Sequence, residues 1–220
     1  MKEPIDWRNH LIELLVVIIG ISIAFALNNW SEGNKEKQSE RDHLQSLITD
    51  LETDIATLQS HVDSMNAIRN KTMQLFGILY SPGDPKTRLE HAHITAFYSV
   101  TYFKPKSSTY NAILASGNFE LIRDYGLRSA ISELYNVHYE ELADMDRFVR
   151  NLVDTNIYPF MLKHIEFSRT GLSDHSPLMT TEFTNLSGSF VNIMERRKQV
   201  YEEIRQRSEE LRTRIEAYLG

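Results

Sequence analysis

The chain has 220 residues, of which 25% are charged, with a formal net charge of -6 and a mean hydropathy of -0.37. This acidic balance argues against a nucleic-acid-binding protein, which normally presents a basic face to the phosphate backbone. The absence of cysteine excludes a disulfide framework, a thiol nucleophile and a thiolate metal site.

An apolar run near the N-terminus is unlike any later part of the chain. Between Leu11 and Leu27 the only ionisable residue is Glu13. The run is about 26 Å long as a helix, close to the roughly 30 Å of a bilayer's hydrocarbon core. Trp7 and Trp30 bracket it and suit the two membrane interfaces. The sequence therefore predicts a transmembrane anchor over residues 11–30, after a short tail of residues 1–10.

Two alternatives to a retained anchor are a cleaved signal peptide and a buried core helix. Ala24-Phe25-Ala26 would supply the small-x-small cleavage site of a signal peptide. Against cleavage, the residues before the run have mixed charges, and Glu13 heads the run. Against burial, a helix that is apolar on all sides needs a large core, whereas the next segment is amphipathic. We therefore expect a retained anchor, and the short tail before a large domain favours an extracytoplasmic C-terminal domain.

The predicted anchor has one face of small and polar residues. These follow each other at helical steps of about 3 or 4 residues: Glu13, Val17, Gly20, Ala24 and Asn28. Gly20 and Ala24 would allow close approach of another membrane helix, although such residues are common in spanning helices generally. Glu13 either extends to the headgroup region or pairs with a partner subunit.

After a polar segment predicted as a hinge, residues 31–36, a heptad pattern indicates a long helix. Its seam comprises Leu44, Ile48, Leu51, Ile55, Leu58, Val62 and Met65. Asp50, Glu52, Asp54 and Asp63 are expected on its other faces. Prolines at 82 and 85 should end the helix. The seam suits an intermolecular coiled coil or one wall of an intramolecular bundle, and the amphipathic segments C-terminal to it favour the bundle.

The remaining pattern predicts further helices and no strand. Short helices are expected over residues 88–100 and after Ser107 and Ser108. A long helix is expected with one inner stripe from Leu127 to Asn156, and Pro159 should end or kink this helix. A polar segment, residues 168–188, precedes a last helix from about Phe190 to Leu219. The fold class is therefore all-α, a single N-terminal transmembrane helix followed by an extramembrane helical bundle over residues 37–220.

Ser116, Gly117 and Asn118 interrupt two of these helical segments. We interpret them as a tight helix–helix turn in which Gly117 adopts a positive φ. A ligand-binding loop is the functional alternative for the same three residues.

Two stretches resemble an uncharacterised bacterial membrane-protein family. One is the Glu-headed run from Glu13 that closes on Asn28-Asn29-Trp30, and the other runs from Ser108-Thr109-Tyr110 through Ser116-Gly117-Asn118 to Leu121-Ile122. The resemblance implies a retained anchor and an extramembrane helical domain. Together with the orientation inferred from the short tail, it leads us to expect a single-pass protein of a bacterial inner membrane whose C-terminal domain is periplasmic. It implies no catalytic residue.

Motifs for chemistry are sparse. No phosphate-binding glycine loop and no nucleophile-elbow motif occurs. Two histidine groupings are close in the sequence. His91 and His93 do not have the i,i+4 spacing of a helical metal site, and His164-x-Glu166 lacks the Pro-Cys-x-x-Cys partner of zinc deaminases. Arg196-Arg197-Lys198 is interpreted as a solvated helix face, with contact to anionic lipid as the alternative. We therefore expect no cofactor and no metal.

These observations predict a membrane-anchored, non-catalytic protein that acts as an accessory or scaffolding subunit of a bacterial envelope complex. Its expected partners are the lipid bilayer and other membrane-protein subunits or a second copy, with no nucleic acid. The alternative is an extracytoplasmic sensor or ligand-binding bundle, which would signal through a partner because its own tail is too short for a signalling domain. An enzyme is the third possibility.

Overall fold

The computed structural model describes residues 7–85, 88–165, 167–168, 171–172 and 174–220. The fold is all-α, as the sequence predicts. The described helices are α1 (Trp7–Leu79), α2 (His91–Thr95), α3 (Ser108–Ala115), α4 (Tyr125–Glu133), α5 (Tyr139–Leu152), α6 (Tyr158–His164) and α7 (Thr181–Leu219). Short 3-10 turns lie at Asn118–Leu121 and Ser176–Met179. Two strands that the sequence pattern did not predict, β1 (Phe167–Ser168) and β2 (Gly171–Leu172), pair antiparallel.

Helices α1 and α7 form the antiparallel backbone of the bundle. Two ion pairs show this arrangement: Arg69 faces Glu195 at 3.9 Å, and Arg212 faces Glu52 at 4.0 Å. The earlier residue of α1 thus pairs with the later residue of α7. The segment from α4 to α6 packs along α7, and α2 and α3 pack on α1. A continuous apolar core between these layers holds the bundle together by removing apolar surface from water.

The heptad seam of α1 is buried inside the same chain. Every seam residue except the half-buried Ile55 is buried, and Leu47 joins them. Burial against α7, α2 and α3 makes α1 one wall of an intramolecular bundle, the alternative that the sequence favoured. The expected position of Asp54 on another face is wrong, because Asp54 lies in the core at 1% exposure.

The hinge expected at residues 31–36 is helical, because α1 continues through it without interruption. Its Lys and Glu residues are good helix formers, and the single Gly33 costs only about 1 kcal/mol in a helix interior. The side chains from residue 11 to residue 38 are exposed, apart from the half-exposed Gly33. Among the described side chains of α1, Glu40 is the first that is buried. Helix α1 thus leaves the bundle as a bare, continuous helix.

The chain from α4 to α6 stays helical through Pro159, where the sequence predicted an end or a kink. A π-helical turn at Val153–Ile157 directly precedes Pro159 in α6. Proline lacks an N–H and clashes with the carbonyl four residues back, and the wider π turn accommodates both changes. The extra residue of the turn also shifts the buried stripe, so Asn156 is exposed while Val153 and Ile157 are buried. Another π turn, Leu134–His138, joins α4 to α5.

Helix α7 begins at Thr181, earlier than the predicted start near Phe190. The Thr180 hydroxyl accepts a hydrogen bond from the Phe183 backbone N–H at 3.2 Å and so caps the first turn. Phe183 and Phe190 then bury their rings in the core. Helix α2 is shorter than predicted, covering only His91–Thr95 of the expected 88–100 segment.

Candidate functional site

The apolar N-terminal part of α1 stands clear of the bundle. Its large side chains are about half exposed or more, for example Ile18 at 50% and Phe25 at 65%. Among the described residues, one helix is long and apolar enough to cross a membrane, with a mean hydropathy of 2.5 and no buried residue in the apolar window. This result removes the buried-core alternative within the described chain. It leaves a possible membrane span or signal anchor, and a signal sequence passes the same test of length and composition.

The predicted interaction face of this segment is fully exposed. Glu13, Val17, Gly20, Ala24 and Asn28 all have exposed side chains. A Cβ added at Gly20 would meet no atom within 4 Å, so the close approach that glycine permits is not used within the described chain.

The two predicted interfacial anchors differ in how much of them is described. Trp30 is 69% exposed on α1, as an interfacial residue requires. Trp7 is the first residue of α1, but its side chain lies outside the described part.

The Ser116-Gly117-Asn118 turn joins α3 to the following 3-10 turn. Gly117 has φ 74°, which confirms the predicted positive φ. Asn118 Nδ2 lies 3.2 Å from His43 Nε2 on α1, and the Ser116 hydroxyl donates to the Ile113 carbonyl at 3.1 Å. These contacts explain the turn as a helix connection that packs on α1, close to where α1 leaves the bundle.

A buried ion pair between α5 and α7 is the strongest polar feature of the bundle. Arg197 Nε donates to Asp146 Oδ1 at 2.8 Å, with the two residues only 1% and 5% exposed. The Tyr201 hydroxyl donates to Asp146 Oδ2 at 2.8 Å and accepts from Arg197 Nη2 at 2.8 Å. This corrects the sequence interpretation of Arg196-Arg197-Lys198 as a solvated face, because the middle residue points into the core.

The same ion pair holds the connection between α2 and α3. The Phe103 backbone N–H donates to Asp146 Oδ2 at 3.0 Å, and Arg197 Nη2 donates to the Thr101 carbonyl. The Tyr102 ring lies between the guanidinium groups of Arg150, at 4.0 Å, and Arg197, at 5.5 Å. We call this group the Asp146 site.

Burial shifts two titrating neighbours of the Asp146 site. It raises the pKa of the Tyr201 hydroxyl, so that group remains protonated as a hydrogen-bond donor. It lowers the pKa of His61, which lies on the edge of the Tyr201 ring and is also repelled by Arg197. Both groups are therefore neutral at neutral pH.

Asp54 forms a second site of the same kind on α1. It accepts the Lys106 backbone N–H at Oδ1 and the Tyr139 hydroxyl at Oδ2, each at 2.9 Å. Burial raises the pKa of Asp54 and outweighs these two hydrogen bonds, which act to lower it, while the charge of Asp50 raises it further. Burial also raises the pKa of Tyr139. The Asp54 site fixes the end of the connection between α2 and α3, directly before α3 begins.

Glu40 forms the third site, where the bundle meets the exposed part of α1. Its Oε1 atom accepts the Arg123 backbone N–H at 2.9 Å and the Tyr218 hydroxyl at 2.7 Å. The hydrogen bond to Glu40 raises the pKa of the Tyr218 hydroxyl. Three carboxylates buried in the described chain thus share one arrangement, in which each accepts one backbone N–H from a connection and one tyrosine hydroxyl.

Sequence patterns did not identify these sites, since each needs residues far apart in the chain. The three carboxylate sites also form no catalytic arrangement. Among the described residues no group of three or more histidine, aspartate or glutamate side chains is placed to hold a metal ion. The His91 side chain and Glu166, from the two histidine groupings, lie outside the described residues. The His164 ring lies against the Phe160 ring at a tilt of 38°, with the ring centroids 4.8 Å apart.

An open groove with an apolar floor lies between α5 and α7. It holds about 420 Å³ over Met145, Phe148 and Ile193, and charged residues form its rim. Phe148 is 58% exposed there.

Comparison with known proteins gives a family match. A model of a family of unknown function, DUF6090, matches residues 13–157. No curated protein and no solved structure matches the chain. The matched region begins in the apolar segment and includes all three carboxylates, Glu40, Asp54 and Asp146. Because the match covers more than half of the sequence, the chain belongs to DUF6090, a family of unknown function.

Proposed function

We propose that this protein is a membrane-anchored, non-catalytic accessory or scaffolding subunit of a bacterial envelope complex. It would cross the inner membrane once, with its helical bundle in the periplasm. The observation that carries the proposal is the continuity of α1, in which a fully exposed apolar segment leads without a break into a buried wall of the bundle.

A bilayer gives the apolar segment the burial that the described chain does not provide. Burying one large aliphatic side chain stabilises a protein by about 1.5–3 kcal/mol, so a segment with many exposed isoleucines, leucines and valines strongly favours an apolar environment. A helix also satisfies its own backbone hydrogen bonds, which the hydrocarbon core requires of any segment that crosses it.

The small and polar face of the span points away from the bundle. From Gly20 to Glu40 the helix turns through 20 residues at about 100° each, which places the two residues roughly 200° apart around the axis. Glu40 begins the buried stripe of α1, so Gly20 and its neighbours face the open side. A second membrane helix therefore has access to this face without a clash with the bundle.

The three carboxylate sites support a scaffolding role for the bundle. Each fixes a non-helical connection to a long helix through a backbone N–H, at Arg123, Lys106 and Phe103. Hydrogen bonds to charged groups stabilise by about 1.5–3 kcal/mol, so these connections are held in place relative to α1 and α5. A fixed surface on a rigid helical stem suits the assembly of other subunits.

Site-specific photo-cross-linking in native membranes tests the proposal. A photoreactive residue at Val17, on the small and polar face, should give an adduct with a specific membrane protein. The same residue at Leu15 is the matched control, because it lies at nearly the same depth on the opposite face. Protein that alkaline washing removes from membranes, or equal labelling from both positions, would count against the proposal.

The groove between α5 and α7 supports a second candidate function, an extracytoplasmic sensor or ligand-binding bundle that signals through a partner. Its apolar floor and exposed Phe148 resemble the lining of small-molecule sites. Thermal-shift screening against small solutes separates the two candidates, since a ligand at 100 times its Kd adds about 2.7 kcal/mol to stability. Loss of that shift in Phe148→Ser would locate the ligand in the groove.

A further inference from the structure

One end of the bundle lies next to the point where α1 leaves it. We call this the proximal end, and it is formed by residues 114–126 and 214–220. Several contacts tie it to residues 36–43 of α1: Glu36 with Arg123 at 3.6 Å, Glu40 with the Arg123 N–H at 2.9 Å, Arg41 with the Leu219 carbonyl at 2.7 Å and His43 with Asn118 at 3.2 Å. If the apolar segment spans a membrane, the proximal end is the part of the bundle that faces it.

The proximal end exposes a tyrosine. Tyr125 is 76% exposed, the largest value among the exposed large apolar side chains of the described chain. Arg128 lies over its ring at 5.8 Å, and Arg123 has an exposed side chain. Tyr125 is the first residue of α4, which runs away from the proximal end. Because helical side chains tilt toward the N-terminus of their helix, the Tyr125 ring is directed outward from this end.

We propose that the proximal end rests on the lipid headgroup layer through Tyr125 and Arg123. Tyrosine is enriched at membrane interfaces because its ring is apolar and its hydroxyl is polar. The exposed Arg123 side chain can extend toward lipid phosphates, whereas Arg128 is only 20% exposed and donates to the Ile122 carbonyl at 2.7 Å. Glu36 pairs with Arg123, Glu120 with Arg128 and Asp124 with Arg214. These pairs keep the end close to neutral, so the aromatic contact rather than net charge drives the interaction.

The length of α1 permits this contact. From Asn28 to Glu36 the helix rises about 12 Å, of which the headgroup layer takes up roughly 5–8 Å. Helix α4 packs on α7, which places Tyr125 about two interhelical spacings of 8–10 Å from α1. A tilt of about 20°, the average for membrane helices, lowers that edge by roughly 6 Å and closes the remaining gap.

This inference rests on the proposed membrane anchor, and one experiment separates the two. The chain has no cysteine, so single cysteines can carry a fluorescent label without background. Full-length protein is reconstituted in phosphatidylcholine–phosphatidylglycerol vesicles that contain headgroup spin-labelled lipid. Asn28→Cys reports the anchor, and Ala115→Cys reports the proximal end from an exposed position. Met179→Cys, exposed at the opposite end of the bundle, is the control.

The expected result is strong quenching of the labels at positions 28 and 115 and none at position 179. Tyr125→Ser should reduce quenching at position 115 several-fold, whereas Tyr125→Phe should retain it. Unchanged circular dichroism confirms that the variants are folded. Quenching at position 28 without quenching at 115 overturns this inference and leaves the anchor in place. No quenching at position 28 overturns both, and an unchanged signal at 115 in Tyr125→Ser overturns the role of the tyrosine.

Discussion

Arg197 and Asp146 form an ion pair in the core of the bundle, with Nε and Oδ1 2.8 Å apart and almost no solvent contact. The pair joins α7 to α5 and also binds the backbone at Thr101 and Phe103. A buried ion pair of this kind is neutral or unfavourable compared with an apolar pair of the same size, but the loss of one partner leaves an uncompensated charge in the core.

Asp146→Ala should therefore destabilise the protein by about 3–5 kcal/mol, because Arg197 loses its counter-charge in an apolar environment. Urea unfolding of the full-length protein in mild detergent measures the change. Glu203→Ala is the matched control, since it removes the exposed partner of Arg207 and should cost at most about 1 kcal/mol. The double variant Asp146→Leu with Arg197→Met should recover much of the loss. Equal effects of Asp146→Ala and Glu203→Ala would contradict this account.

The Asp54 site predicts a specific pH dependence of stability. Because burial raises the folded-state pKa of Asp54, its contribution is fully present below the unfolded pKa and is lost as the pH rises through the folded value. Asp54→Asn removes this titration while its amide oxygen still accepts the Lys106 N–H. The free energy of unfolding of the variant minus that of the wild type should therefore be larger at neutral pH than at about pH 4. Unfolding midpoints at the two pH values test this, and a constant difference between variant and wild type would refute it.

The Glu40 site should hold the connection over residues 122–124 and the C-terminal turn of α7 in place. Glu40→Ala removes the acceptor of both the Arg123 N–H and the Tyr218 hydroxyl, so both groups lose their hydrogen bonds. We expect faster hydrogen exchange at Arg123, measured by mass spectrometry on peptides of that region. Tyr218→Phe should cost about 0.5–1.5 kcal/mol and leave the Arg123 amide protected. Glu36→Ala, which breaks only an exposed ion pair, serves as the control and should leave exchange unchanged.

Local sequence patterns predicted the helices but not the carboxylate sites. The heptad seam of α1 and the positive φ of Gly117 depend on residues close in the chain, where spacing and side-chain type are sufficient. Asp54 lies between Leu51 and Leu58 at the same helical steps as the seam, a signal that it is buried. Its partners, Lys106 and Tyr139, are far away in sequence, so no spacing rule indicates how its charge is satisfied.

The π turns show a second limit of sequence patterns. An α-helical period carried from Leu127 placed Asn156 on the inner stripe, but each π turn inserts a residue and rotates the helix on its C-terminal side. The charged neighbours Arg196 and Lys198 predict a solvent-exposed position for the Arg197 side chain. Only the fold reveals that Asp146 lies opposite it.

Gly117 offers a test of backbone strain without a steric effect. Its φ of 74° is a left-handed conformation, yet a Cβ added there would meet no atom within 4 Å. Gly117→Ala should therefore destabilise the protein by about 1–2 kcal/mol through the backbone alone. Gly117→Asn should cost less, since asparagine tolerates this conformation better than alanine.

Gly77→Ala is the matched control for this pair of variants. Gly77 lies inside α1, and an added Cβ there also meets no atom within 4 Å. Because alanine favours a helix interior over glycine by about 0.5–1 kcal/mol, this substitution should stabilise the protein. Thermal unfolding of the three variants should thus rank Gly77→Ala above Gly117→Asn and Gly117→Ala last. If Gly117→Ala matched Gly77→Ala, the turn between α3 and the following 3-10 helix would not require a left-handed residue.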